Sequence, residues 1–316
     1  MKLLALAVTA VLTMAPANPV EPVEVTVPGP AGPLAGTLID PGGKAPAILI
    51  LPGSGPTDRD GNNPLGVAAA PYRLLADALA ERGIATLRAD KRGMFASKAA
   101  IPDANAVKIA DYAADAHAWV DMLRQRSGRA CVWLLGHSEG GLVALKAAQR
   151  PEGICGVILV SAPGRPLATV MREQLRANPA NAPLLDAAMA ALDALEAGRR
   201  VDTATLPPLA GLFAAPVQGF LIDVFAQHPA ELAASLHVPV LMVHGDRDIQ
   251  VSLADAQALA AAARGSTLKI LPGVNHVLKS VASDDRAANI ATYGNPSLPL
   301  APGVADAIAG FVSARR

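Results

Sequence analysis

Short, nearly continuous apolar runs alternate along the chain with longer segments in which apolar residues return every third or fourth position. The runs AILILPG (47–53), IATLRAD (84–90), CVWLLGHS (131–138) and GVILVSAP (156–163) have the length and the bounding turn residues of strands buried on both faces. Between them, PYRLLADALAERG (71–83), DYAADAHAWVDMLRQR (111–126) and EGGLVALKAAQR (139–150) read as amphipathic helices. Strand and helix in turn predict right-handed crossovers and a mostly parallel central sheet flanked by helices, an α/β fold. Ahead of this alternation, VEVTVPGPAGPLAGTLIDPGG (23–43) predicts two strands joined by a Pro/Gly turn, which makes the run at 156–163 the sixth strand.

The rhythm then breaks. Residues 164–236 carry helical periodicity without a clear strand and are expected to form a helical cap inserted after the sixth strand. Alternation returns with VPVLMVHG (238–245), SLADAQALAAAAR (252–264), STLKILPG (266–273), a long polar loop and a closing helix at 302–315. The core is therefore expected to comprise residues 18–163 and 237–316.

At the start of the chain, Lys2 precedes an apolar stretch from Leu3 to Met14, and the small residues Ala15 and Ala17 follow at cleavage-site spacing. Residues 1–17 are expected to be a secretory signal peptide, the mature chain being periplasmic or secreted, with no stable membrane insertion after cleavage. Lys and Arg total 27 and Asp and Glu total 27, so no global field favours nucleic acid or an anionic membrane, and a small-molecule substrate fits better. Cys131 and Cys155 each open an apolar run. The first reading is of two buried small hydrophobes; a bridge between neighbouring strands in an oxidising compartment is the alternative.

The sharpest chemical signal is GHSEGG, residues 136–141, between a strand and a helix. A serine with glycines two positions to either side fits a nucleophile elbow, a turn too tight for larger neighbours than Gly136 and Gly140. It would present Ser138 at a helix N-terminus, where the Glu139 amide can stabilise an oxyanion. A serine hydroxyl needs a base oriented by a carboxylate, and in sites of this kind the acid and the histidine follow the serine on later loops. HGDRDIQV offers Asp246 and Asp248. Asp248 is the expected acid, lying further into the loop, while Asp246 is expected to tie the turn together. His276, the only histidine after them, is the expected base. His117, His228, His237 and His244 are assigned packing or surface roles, and His137 is read as a filler of the elbow. No histidine or cysteine spacing matches a metal site, and no cofactor is expected.

A second loop, LPGSGPTDRDGNNP (51–64), ends the third strand. It lacks the lysine of a phosphate loop. As a calcium loop it has Asn63 where a glycine is needed and Ala69 where a bidentate glutamate is needed. It can supply a backbone N–H beside the nucleophile, and the Ser54 amide is the expected second oxyanion donor. DRDGN is read first as a structural turn.

Seven segments in chain order, LPGSGPTDRDGN, RADKRGMFAS, GHSEGG, SAPGRPL, HGDRDIQV, PGVNHVLK and ATYGNPSLPL, resemble the α/β-hydrolase superfamily. They are most similar to bacterial carboxylesterases and serine-aminopeptidase-like hydrolases with a GSGPxDRDGN loop. The resemblance implies the α/β-hydrolase fold, Ser138, Asp248 and His276 as a triad, Ser54 and Glu139 as oxyanion donors, and hydrolysis of short to medium acyl esters under the cap. Two residues depart from the pattern: Pro52 where a histidine is usual and Phe95 where a glycine is common. A serine exopeptidase or amidase on the same triad is the alternative, with Asp58, Asp60, Glu139, Glu173 or Glu231 as anchors for a substrate amine. A non-catalytic binding protein is the third reading.

Overall fold

The computed structural model describes residues 20–203 and 210–315; the signal-peptide reading of residues 1–17 lies outside them. Two strands, β1 (Val23–Pro28) and β2 (Pro33–Ile39), pair antiparallel as a hairpin. The remaining strands are β3 (Ala47–Leu51), β4 (Ala85–Ala89), β5 (Val132–His137), β6 (Ile154–Val160), β7 (Val240–Gly245) and β8 (Thr267–Leu271). They complete one sheet in the order β1-β2-β4-β3-β5-β6-β7-β8, parallel from β4 to β8.

Every residue of β3, β5 and β7 is buried, as uninterrupted apolar runs require when both faces are covered. Alternation sorts the side chains: Ile48 and Ile50 face a core built with α1 (Pro71–Ala80) and α11 (Val304–Ser313), through Leu75, Leu79 and Ile308. Leu49 and Leu51 face the opposite core, formed with α2 (Ile109–Ser127), α3 (Glu139–Ala147) and α9 (Leu253–Ala262).

From β3 the chain passes through α1 to β4 on one side, then crosses through α2 to β5 on the other. Strand order therefore reverses between β3 and β5, and a crevice opens at their carboxyl ends, where open α/β sheets bind ligands. The loop after β3 and the turn after β5 both end there.

Between β6 and β7 the described elements are all helical: α4 (Leu167–Ala177), α5 (Leu185–Glu196), α6 (Ala210–Phe213), α7 (Gln218–Phe225) and α8 (Pro229–Ala234), with short 3-10 turns. Leu192, Leu195 and Phe225 of this segment share the core that contains Leu142 and Val143 of α3. At its start, a Cβ on Gly164 would lie 2.1 Å from the Asp255 carbonyl oxygen, and Arg165 pairs with the buried Asp255 carboxylate at 2.7 Å.

Cys131 and Cys155 are joined in a disulfide, their Cα atoms 5.1 Å apart. The reading of two separate small hydrophobes is thereby overturned. The parallel register sets the beginning of β5 beside the beginning of β6, a proximity that neither run shows by itself.

Two more helices follow β8: α10 (Arg286–Ala291) and the closing α11. No helix among the described residues is long and apolar enough to cross a membrane.

Candidate active site

Ser138 stands between β5 and α3 with φ 54° and ψ −125°, a backbone that L-residues rarely adopt. Its neighbours explain why the turn demands glycine. A Cβ on Gly136 would lie 2.1 Å from the Gly140 carbonyl oxygen, and one on Gly140 would lie 2.2 Å from that of Leu51. The elbow is thus pressed against the end of β3, and a Cβ on Gly53 would come within 3.2 Å of the Ser138 Cβ. Among the described residues no protein acceptor faces the amide of Ser54 or of Glu139. Two unspent N–H donors therefore flank the serine.

The loop after β7 carries Asp248 and the loop after β8 carries His276. His276 Nδ1 and Asp248 Oδ2 are 2.8 Å apart, with the two side chains almost completely buried. The other carboxylate oxygen of Asp248 accepts the amides of Gln250 at 2.8 Å and Val251 at 2.9 Å. Burial by itself would raise this carboxyl; His276, aided by His244 and the Val251 amide, outweighs it and holds Asp248 below the usual carboxylate value. An ionised Asp248 accepts the Nδ1 proton, which leaves Nε2 as the free acceptor of the ring. Ser138 and His276 line one cavity of about 130 Å³ with Gly53, Ser54 and Tyr72. Asp246 takes a different part: its carboxylate accepts the Gly273 amide at 2.7 Å and ties the β7 and β8 loops together.

Several residues that bind this arrangement together carried no signal in the sequence. Gly53 N–H donates to the Tyr72 hydroxyl at 3.0 Å, and that hydroxyl lies 2.8 Å from His137 Nδ1. With its oxygen accepting from Gly53, Tyr72 donates to His137, and His137 Nε2–H then donates to the His276 carbonyl at 2.8 Å. Burial, with the nearby His276 ring, lowers His137 to about 3 and keeps it neutral; burial also raises the Tyr72 hydroxyl above its usual value, so it stays protonated. His137 is accordingly a bridge between the loop after β3 and the His276 backbone. Behind His276, the Asn275 amide donates to Asn289 at 2.9 Å and Thr292 at 2.7 Å. Only folding brings these positions together, and no spacing rule connects them.

The DRDGN segment is a brace. Asp58 Oδ1 accepts the amides of Asp60 and Asn62, Arg59 bonds Asp90, Thr37 and Glu24, and Asp60 pairs with Arg88. Gly61 has φ 92°, and a Cβ there would meet Pro71 at 2.7 Å. Pro52 follows the last paired residue of β3, so its missing N–H costs the sheet no bond. Phe95 takes φ 45°, the left-handed region in which glycine is at ease, and lines an open groove with Arg59 and Asp60 rather than the cavity at Ser138.

The comparisons with known proteins agree on the fold. The chain superposes on the Pyrococcus furiosus esterase Pf2001 with a TM-score of 0.59 at 16% identity, over 97% of this chain and 96% of that one. Est1E from Butyrivibrio proteoclasticus, solved with ferulic acid bound, gives 0.58 at 18% identity, over 92% and 98%. Both likenesses show a shared fold, a mostly parallel sheet flanked by helices. A dienelactone hydrolase from Anabaena variabilis shares the fold at a TM-score of 0.54 and 18% identity, over 94% and 97%. In sequence, the family model Hydrolase_4, serine aminopeptidase, S33, matches residues 65–200, a stretch that contains the elbow and ends before Asp248 and His276. Esterase EstD of Thermotoga maritima is 30% identical over 81% of this chain, which spans 60% of that protein's length.

Among the described residues no group of histidine, cysteine and carboxylate side chains is placed to hold a metal ion.

Proposed function

We propose that this chain is a member of the α/β-hydrolase superfamily and an exported serine hydrolase that cleaves carboxylic esters of short to medium acyl chains. The observation that carries the reading is His276, paired behind with the buried Asp248 and lining the same cavity as the strained Ser138, with the Ser54 and Glu139 amides unspent beside it. In this reading Ser138 Oγ attacks the ester carbonyl carbon as His276 Nε2 takes its proton. The two amides hold the oxyanion. The C–O bond to the alcohol then breaks, His276 returns the proton to the leaving oxygen, and a water activated by the same histidine hydrolyses the acyl-enzyme.

The similarity to EstD supports an ester substrate. So does the lining of the cavity at Ser138, which among the described residues includes no carboxylate to hold a substrate amine. Each acidic residue considered as an amine anchor is occupied or remote. Asp58 and Asp60 brace their loop, Glu173 pairs with Arg165 at 2.6 Å, Glu139 is buried opposite Lys91, and Glu231 sits exposed in the first turn of α8.

Export rests on the amino-terminal pattern of residues 1–17 and is supported by the Cys131–Cys155 bridge, since such bonds persist in oxidising compartments. We assign residues 164–236 as the lid over the acyl group, supported by the shared core of α5, α7 and α3.

The deciding experiment is one preparation assayed against a chain-length series of acyl p-nitrophenyl esters and against aminoacyl anilides. Esters are expected to be cleaved far faster, with Ser138→Ala inactive on both. Preference for the anilides would overturn the esterase reading, and full activity in Ser138→Ala would overturn the nucleophile.

A further inference from the structure

We propose that Lys91 is a positioning residue for the oxyanion hole, clamping the Gly53–Ser54 peptide so that its N–H faces Ser138. This rests on the esterase reading above. Lys91 follows β4, is buried, and donates from Nζ to the Gly53 carbonyl oxygen at 2.7 Å. That oxygen and the Ser54 N–H belong to one peptide unit. A hydrogen bond to the oxygen therefore fixes the plane of the unit and draws electron density from its N–H, which makes the amide a better donor.

The Glu139 carboxylate is 3.8 Å from Nζ, further than the peptide oxygen, so the hydrogen bond of the ammonium is spent on the peptide while the carboxylate balances its charge. Glu139 is also the residue whose amide is the other proposed donor, so the ion pair links the side chain of one donor residue to the peptide that carries the other donor. On the remaining side the Tyr112 ring centroid lies 5.7 Å from Nζ. The neighbouring acids are spoken for, Asp90 by Arg59 and Asp115 by Arg92. Burial draws the Lys91 ammonium down and the Glu139 carboxyl up, each opposed by the other. Gly53 is held from both ends, its N–H by Tyr72 and its C=O by Lys91, and glycine leaves the peptide no side chain to restrain it otherwise. An ion pair serving only the fold would not need to contact the strand-end carbonyl.

The test compares Lys91→Met with Lys91→Met/Glu139→Gln, which leaves no unpaired buried charge. Both are assayed on the best p-nitrophenyl ester and titrated with its trifluoromethyl ketone analogue, whose adduct with Ser138 carries an oxyanion. In variants that melt cooperatively, kcat is expected to fall about 10- to 100-fold with KM changed less than about 2-fold, and ketone affinity is expected to fall in parallel. Unchanged kcat, or a loss of kcat with ketone affinity intact, would overturn the proposal. Loss of fold in both variants would do so too, by assigning Lys91 to the fold. Ser138→Ala in the same assay separates the two readings: activity that survives it removes the esterase mechanism itself, whereas activity lost there but kept in the Lys91 variants removes only the clamp.

Discussion

His137 donates its Nε2–H to the main-chain carbonyl of His276 at 2.8 Å, and their rings lie 4.7 Å apart. The residue before the proposed nucleophile therefore holds the backbone of the proposed base. It does so as a neutral ring, because burial lowers its pKa from 6.5 to about 3. The unfolded chain takes up a proton near 6.5 that the folded chain refuses. The contribution of His137 to stability is thus complete above that value and is lost as the pH falls toward about 3, at roughly 1.4 kcal/mol per pH unit. Urea unfolding at pH 7, 6 and 5 is expected to show this slope, and His137→Phe is expected to flatten it by about one proton. An unchanged slope in the variant would assign the acid sensitivity to other groups.

Tyr72 joins the Gly53 amide to His137 through a single hydroxyl. Removing it leaves two buried polar groups without partners. Tyr72→Phe is expected to lose about 1–3 kcal/mol of stability by denaturant titration and to lower kcat, because the loop beside Ser138 loses one of its two holds.

Asp248 orients His276 and, by accepting a hydrogen bond from Nδ1–H, sets the tautomer of the neutral ring. Asp248→Asn preserves the shape, yet its amide cannot accept the Nδ1 proton as a charged group does. Ester turnover is expected to fall roughly 10⁴-fold, with the thermal midpoint changed far less than activity. Asp246→Asn, which alters the tie to Gly273, is expected to cost stability without a comparable loss of rate.

Gly53 approaches the nucleophile so closely that a methyl group in its place would lie 3.2 Å from the Ser138 Cβ. Gly53→Ala is expected to displace the loop or the serine by tenths of an ångström and to slow acylation about 10- to 100-fold. Labelling with a fluorophosphonate should slow in step. Normal labelling with slow ester turnover would point to the deacylation step.

The disulfide closes a loop across a sequence separation of 24 at the beginning of β5, about 20 Å from the elbow at its other end. Cys131→Ala/Cys155→Ala is expected to lose about 3 kcal/mol and to keep its kcat. Comparing thermal midpoints with and without reductant provides the same check on the unmodified protein.

Much of this architecture was legible because its signals are local. A strand buried on both faces must be a short apolar run, and a turn tight enough to invert the chain at Ser138 must have Gly136 and Gly140 beside it, since any side chain there would strike backbone. The order of elements follows from those signals, as does the reading of DRDGN as a brace. Tertiary structure decided what depends on register and on crossings between distant segments. Cys131 meets Cys155 because β5 and β6 are neighbours in parallel register. The reversal of strand order between β3 and β5 brings Gly53 against Ser138, Lys91 under the Gly53 carbonyl, and Tyr72 between Gly53 and His137. A buried lysine, tyrosine or histidine looks in sequence like any other, and each acquires its part only from the polar atom that folding sets opposite it.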